Sequence, residues 1–130
     1  MARMILVVDD SQNARSAVAF VLKSKGYVVV EAGDGEEALA LFRECRPDLV
    51  LADALMPRCS GYQLCASIKG KEDSRIVPVL LLTGQSDEAG DTVQRWAPEL
   101  RPDEILAKPF KIQDLVSRID RHLQPPAVSA

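Results

Sequence analysis

Five short apolar runs, Met4–Val8, Tyr27–Val30, Leu49–Ala52, Val77–Leu82 and Ile105–Ala107, alternate along the chain with segments whose apolar residues recur at helical spacing. Ala14, Ala17, Val18, Val21 and Leu22 share one helical face after the first run, and Ala38, Leu41, Phe42 and Cys45 share one after the second. Leu64, Cys65 and Ile68 follow the third, and Ile112, Leu115, Val116, Ile119 and Leu123 give the clearest stripe behind the fifth. The runs show no polar alternation, so the strands they predict are buried on both faces. A parallel sheet with helices on each side provides that environment. Five βα units joined by right-handed crossovers most simply make an open, doubly wound α/β sheet, for which we expect strand order 2-1-3-4-5. Gly26, the Gly33–Gly35 turn and Pro47 fall where this division needs breaks. With 130 residues, 47% of them hydrophobic, the chain can build one domain around a proper core and hardly more.

Two segments fit less well. Between Gly84 and Pro102 the apolar positions Ala89, Val93, Trp96, Ala97 and Leu100 keep helical spacing, but the stripe is thin and contains Gly90. It predicts a fourth helix over roughly Asp87–Ala97, less stable than its neighbours because it buries less apolar area. The last residues, QPPAVSA, have no period. We therefore expect one domain over 1–124, with 125–130 a flexible tail or the start of a linker.

Several function classes are disfavoured. The net charge is −3 and the basic residues are spread along the chain, so no basic stripe offers a nucleic-acid surface. MARMILVVDD has too short an apolar run for a signal peptide or membrane span, which leaves a cytoplasmic location as the expectation. Cys45, Cys59 and Cys65 lack CxxC spacing and His122 is the one histidine, so we expect reduced thiols and no structural zinc.

The ends of the strands carry the chemistry. Leu49–Pro57 reads LVLADALMP, an apolar strand that closes on a carboxylate, Asp53. The first strand ends in Asp9 and Asp10, the fourth in Thr83, and the fifth in Lys108 before Pro109. In a parallel sheet these carboxyl ends share one edge, and ligands bind there where strand order reverses, here between strands one and three. Three carboxylates in one place need a counter-charge, and Mg²⁺, a hard cation that takes oxygen ligands, suits them. Lys108 and the Thr83 hydroxyl suit phosphate oxygens. No histidine is positioned as a general base, and none is needed if Asp53 is itself the nucleophile. Taken singly, each residue has an ordinary explanation: Asp10 or Ser11 could cap a helix, Asp53 or Thr83 a turn, and Lys-Pro says little. Their convergence from four different strands is what argues for a site.

VVDDS at Val7–Ser11, LADALMP at Leu51–Pro57 with Gly61 beyond it, LLTG at Leu81–Gly84 and AKPF at Ala107–Phe110 together resemble the receiver domain of two-component response regulators, over Met1–Leu123. The resemblance implies a flavodoxin-like (βα)5 fold and an aspartyl-phosphate switch. By position, Asp53 is similar to the aspartate that accepts a phosphoryl group from a phosphohistidine on a sensor histidine kinase or histidine phosphotransfer protein. Asp9 and Asp10 are similar to the acidic pair that holds Mg²⁺, with Asp53 and the backbone carbonyl of Leu55 as further ligands. Thr83 and Lys108 match the hydroxyl and the lysine that meet the phosphoryl group, and Pro109 aligns with a proline commonly preceded by a cis bond.

The resemblance also implies a signal read by a downstream protein or effector domain through the surface of the fourth helix, fifth strand and fifth helix. A homodimer is left open. Ile105 stands where relatives often have an aromatic residue, and WAPELRPDEIL replaces their usual approach to strand five, so we expect an altered surface there. For Trp96 the favoured expectation is a half-buried packing residue. The chain is thus expected not to be a turnover enzyme, its chemistry limited to self-catalysed phosphorylation and slow autodephosphorylation. Two alternatives remain at this stage. A haloacid-dehalogenase-type phosphohydrolase uses similar groups, but its second aspartate lies two residues after the nucleophile, and here residue 11 is Ser. The other is a degenerate receiver acting only as an interaction module, against which the presence of all five site residues counts without excluding it.

Overall fold

The structure is a computed structural model and describes residues 2–56, 59–84 and 96–123. Its sheet has five parallel strands, β1 (Met4–Val8), β2 (Val28–Ala32), β3 (Leu49–Asp53), β4 (Val79–Thr83) and β5 (Glu104–Ala107). Their order is β2-β1-β3-β4-β5, the one expected for five βα units joined by right-handed crossovers. The described helices are α1 (Gln12–Ser24), α2 (Gly35–Cys45), α3 (Gly61–Lys69) and the C-terminal helix Ile112–Leu123.

The starts of α1, α2 and α3 are written locally. Ser11 caps α1 by accepting the Ala14 N–H at 3.3 Å, and Asp34 caps α2 by accepting that of Glu37 at 2.8 Å. Ser60 and Gln63 form a reciprocal capping box at the start of α3. α1 ends at Ser24, and Gly26 then takes φ +97°, a conformation open to glycine and strained for other residues.

Four of the five strands differ in extent from expectation, β3 by taking in Asp53 and β5 by taking in Glu104. β4 begins at Val79 rather than Val77, because Pro78 has no N–H to give the ladder. β2 runs on through Glu31, which pairs with Arg15 at 3.1 Å on the sheet's edge and so tolerates a strand position. Of the helix expected over 87–97, residues 87–95 lie outside the described residues. Trp96 and Ala97 are described and are not helical. Ala97 is extended before Pro98, which disfavours helical backbone in the residue preceding it, and a 3-10 turn, Pro98–Leu100, follows. Residues 124–130 likewise lie outside the described residues.

The sheet separates two apolar clusters. One packs Ile5, Val7, Leu49, Leu51, Leu80 and Leu82 against Leu22 of α1 and Leu115, Ile119 and Leu123 of the C-terminal helix. The other packs Leu6, Val8, Val50, Ala52 and Leu81 against Ala38 of α2 and Leu64, Cys65 and Ile68 of α3. β1, β3 and β4 thus bury both faces, the reason their sequences show no alternation. All three cysteines are free thiols. No helix among the described residues is long and apolar enough to cross a membrane.

A charged cluster ties the C-terminal helix to β5. Glu104 accepts from Arg118 Nη1 at 2.7 Å and meets His122 Nε2 at 2.6 Å. Burial pushes the Glu104 carboxyl up, but the hydrogen bonds from Arg118 and His122 outweigh it and hold the group below its ordinary 4.5. A carboxylate depressed in the folded state contributes stability that is complete above its unfolded pKa and is lost as pH falls through the folded one. The Glu104→Gln variant should therefore be less stable than the parent at pH 7, with the gap closing as pH drops below 4.5. Urea unfolding of both proteins across that range measures it. A gap that stays constant would assign the cluster no pH-dependent share of stability.

Candidate functional site

The carboxyl ends of β1, β3, β4 and β5 meet at one edge, where the order reverses between β1 and β3. β3 brings Asp53 to this edge in register with Leu82, and β4 ends one residue later at Thr83. Asp9 follows β1 directly. One oxygen from each of Asp9, Asp10 and Asp53 lies within 4.8 Å of the others. Asp9 is buried at 6% exposure, Asp53 half-buried and Asp10 exposed. The set is therefore open to solvent on the Asp10 side.

Main-chain contacts hold these groups in place. Asp9 Oδ1 accepts the Ser11 N–H at 2.9 Å, and the Asp9 carbonyl accepts Arg15 Nη1 at 2.7 Å. Arg15 also pairs with Glu31, so it pins the end of β1 to β2. Asp53 Oδ1 accepts the Leu55 N–H at 3.3 Å, an arrangement that turns the chain away from the strand. The Leu55 side chain is 70% exposed and contributes nothing to the core. Gly61 sits so close behind Asp53 that a Cβ there would overlap the Asp53 carbonyl, so this position requires glycine.

On the other side Lys108 Nζ reaches Asp53 Oδ2 at 3.2 Å, and the Lys108 N–H donates to the Thr83 carbonyl at 2.7 Å. Thr83 is 7% exposed. Lys108 and Pro109 are joined by a cis peptide bond, as the resemblance led us to expect. Burial pushes the Asp9 carboxyl up, opposed by its hydrogen bond from Ser11; the charges of Asp53 and Asp10 push it further, against Lys108. One ammonium beside three acids leaves an excess of negative charge. Hard oxygen donors in this number fit a divalent cation such as Mg²⁺.

A family model described as "Response regulator receiver domain" matches residues 5–120. The chain belongs to that family. This receiver domain is 39% identical over 131 residues to the phosphate regulon transcriptional regulatory protein PhoB of Escherichia coli, an alignment covering 98% of the chain and 56% of that protein. It is 36% identical over 124 residues to the DNA-binding response regulator MtrA of Mycobacterium leprae, covering 95% and 52%. The receiver thus spans about half the length of the relatives it matches. Among solved structures, the signal receiver domain of a signal transduction histidine kinase from Syntrophus aciditrophicus superposes with a TM-score of 0.84 at 34% identity, covering 99% of this chain and 98% of that one. CheY4 of Vibrio cholerae gives 0.83 at 30%, covering 95% and all of that chain. The receiver is a two-component signalling switch of flavodoxin-like fold, and the phosphohydrolase alternative falls away. Receiver domains bind Mg²⁺ at an acidic pocket, and the Asp9, Asp10 and Asp53 cluster has that character here.

No local pattern marks Arg15, whose contacts depend on where β2 lies beside β1. The sequence pointed to Trp96 without a partner. That partner is Tyr62 of α3, whose ring meets the indole edge to face at 6.1 Å between centroids and an interplanar angle of 85°. Trp96 is half-buried, the packing residue that was expected. Ile105 is half-buried on β5, in register with Leu81.

Proposed function

We propose that Asp53 is the phosphoacceptor of this receiver and takes its phosphoryl group from a phosphohistidine of a sensor histidine kinase or histidine phosphotransfer protein. The observation that carries this is the placement of the Asp53 carboxylate between two further aspartates and the Lys108 ammonium, which lies 3.2 Å away. An Asp53 oxygen attacks phosphorus, the P–N bond breaks, and its electron pair stays with the imidazole nitrogen. A carboxylate needs no base to become a nucleophile, so positioning and electrostatics do the work. Lys108 turns from Asp53 to a phosphoryl oxygen, and the Thr83 hydroxyl donates to another. Asp9, Asp10, Asp53 and the Leu55 carbonyl would hold Mg²⁺, which when bound neutralises charge between the carboxylates and the phosphoryl oxygens.

Hydrolysis of the acyl phosphate returns the carboxylate, so the chain is a self-resetting cytoplasmic switch and not a turnover enzyme. Phosphorylation adds about two negative charges to the site. The readout passes to a downstream protein or effector domain through the surface that includes β5 and the C-terminal helix, and residues beyond 124 serve as tail or linker. That relatives of about twice this length are a transcriptional regulatory protein and a DNA-binding response regulator supports an effector domain as that partner.

The test is incubation with acetyl phosphate with and without Mg²⁺, followed by intact-mass spectrometry. A gain of one phosphoryl group that depends on Mg²⁺ is expected; its absence would leave an interaction module without phosphoryl chemistry. The Lys108→Ala variant separates the roles further. It should keep Mg²⁺ affinity within about threefold, because the lysine is no metal ligand, while beryllofluoride affinity falls by an order of magnitude or more with the lost charge-assisted bond. Titrations of both ligands check this, and loss of Mg²⁺ binding would contradict the assignment.

A further inference from the structure

Tyr62 is the second residue of α3, directly after the glycine packed on the Asp53 carbonyl. The Gly61 N–H also donates to the Ala54 carbonyl at 3.0 Å, so the start of α3 is fastened to the chain leaving Asp53. The Tyr62 hydroxyl is buried yet has no hydrogen-bond partner among the described residues. A buried polar atom without a partner is costly and calls for an explanation. Burial, and then the charge of Asp53, push the phenol above its ordinary 10, so it remains an O–H donor. The same ring meets Trp96, a residue of the connection between β4 and β5.

An orphan donor within the field of Asp53, on a ring in contact with another element, is poised to respond to new negative charge. We propose that Tyr62 is a positioning residue that carries the phosphorylation state of Asp53 to Trp96, its hydroxyl turning to the phosphoryl oxygens and its ring shifting against the indole. The proposal rests on Asp53 being the phosphoacceptor. It adds a route from that site to the β4–β5 connection that uses neither Ile105 nor a change in the sheet.

Trp96 is the one tryptophan of the chain, so its emission reports directly on this contact. The experiment adds beryllofluoride with Mg²⁺ to the full chain, to Tyr62→Phe and to Asp53→Asn, recording tryptophan emission and melting temperature in each. In the parent we expect a change in emission and a rise in melting temperature, both absent in Asp53→Asn. Tyr62→Phe keeps the ring and removes only the unpartnered hydroxyl. It should melt no lower than the parent without ligand, still bind beryllofluoride, show a smaller thermal gain on binding, and lose most of the emission change. A merely structural role would move both states of the variant equally. An emission change in Tyr62→Phe equal to that of the parent, or a parent that is thermally stabilised while Trp96 stays silent, would overturn the proposal and leave the phosphoacceptor reading intact. A parent that gains no stability from beryllofluoride would overturn that reading, and this one with it.

Discussion

The Asp53→Asn variant loses the phosphoryl label from acetyl phosphate entirely while keeping its fold. The amide is nearly isosteric, its oxygen can still accept from the Leu55 N–H, and Asp53 sits at the end of β3 without filling the core. Removing its charge costs the ion pair to Lys108 but relieves repulsion with Asp9 and Asp10, so the two effects oppose each other. We expect a melting temperature equal to or slightly above the parent's in the absence of Mg²⁺, unchanged far-ultraviolet circular dichroism, and no mass gain. The chemical reason for the complete loss is that a neutral amide is a poor nucleophile, and no other group in the cluster has Lys108 on its carboxylate. Peptide mapping of any remaining label would be decisive, because label on Asp9 or Asp10 would move the acceptor to β1.

The second large effect lies at the opposite edge of the sheet. Lys69, the last residue of α3, is 3% exposed. Its ammonium donates to the Arg75 carbonyl at 3.0 Å, the Val77 carbonyl at 2.8 Å and Asp103 Oδ2 at 2.6 Å. Asp103 in turn accepts the Val79 N–H at 2.8 Å, so one ion pair joins the end of α3 to the starts of β4 and β5. Lys69→Met keeps most of the aliphatic stem and deletes the three donors. The cost is that of breaking a buried pair and leaving two carbonyls unpaired, about 3 kcal/mol, discounted already for the partial exposure of Asp103. For a domain of this size that lowers the melting temperature by on the order of 10 °C. Asp103→Asn, which retains an acceptor, should cost less. Thermal and urea unfolding of the two variants measure both, and a Lys69→Met loss of under about 1 kcal/mol would show that water replaces the ammonium without penalty.

Lys69 also shows what a one-dimensional reading misses. It stands four residues after Cys65, on the buried face of α3, where an apolar residue would ordinarily continue the stripe. That position was a legible signal of a buried charge. Its partner Asp103, 34 residues away, was not, because nothing local selects it. Arg15 on Glu31 and Tyr62 on Trp96 are of the same kind: each pairing exists only once neighbouring elements have been set side by side.

Apolar runs and helical stripes are properties of consecutive residues, and with right-handed crossovers they sufficed for a parallel sheet covered on both faces and for its strand order. The edge that gathers Asp9, Asp10, Asp53, Thr83 and Lys108 was legible for the same reason, since a strand's last residue is fixed by where its apolar run stops and parallel strands end on one side. Element ends at Pro78 and Pro98 needed only the restrictions proline imposes. What the tertiary structure alone decided is which polar groups share a contact: the Arg15 clamp, the Lys69 lock and the Tyr62–Trp96 pair. Those depend on the distance and angle between elements, which close packing of the whole core sets and no local pattern encodes.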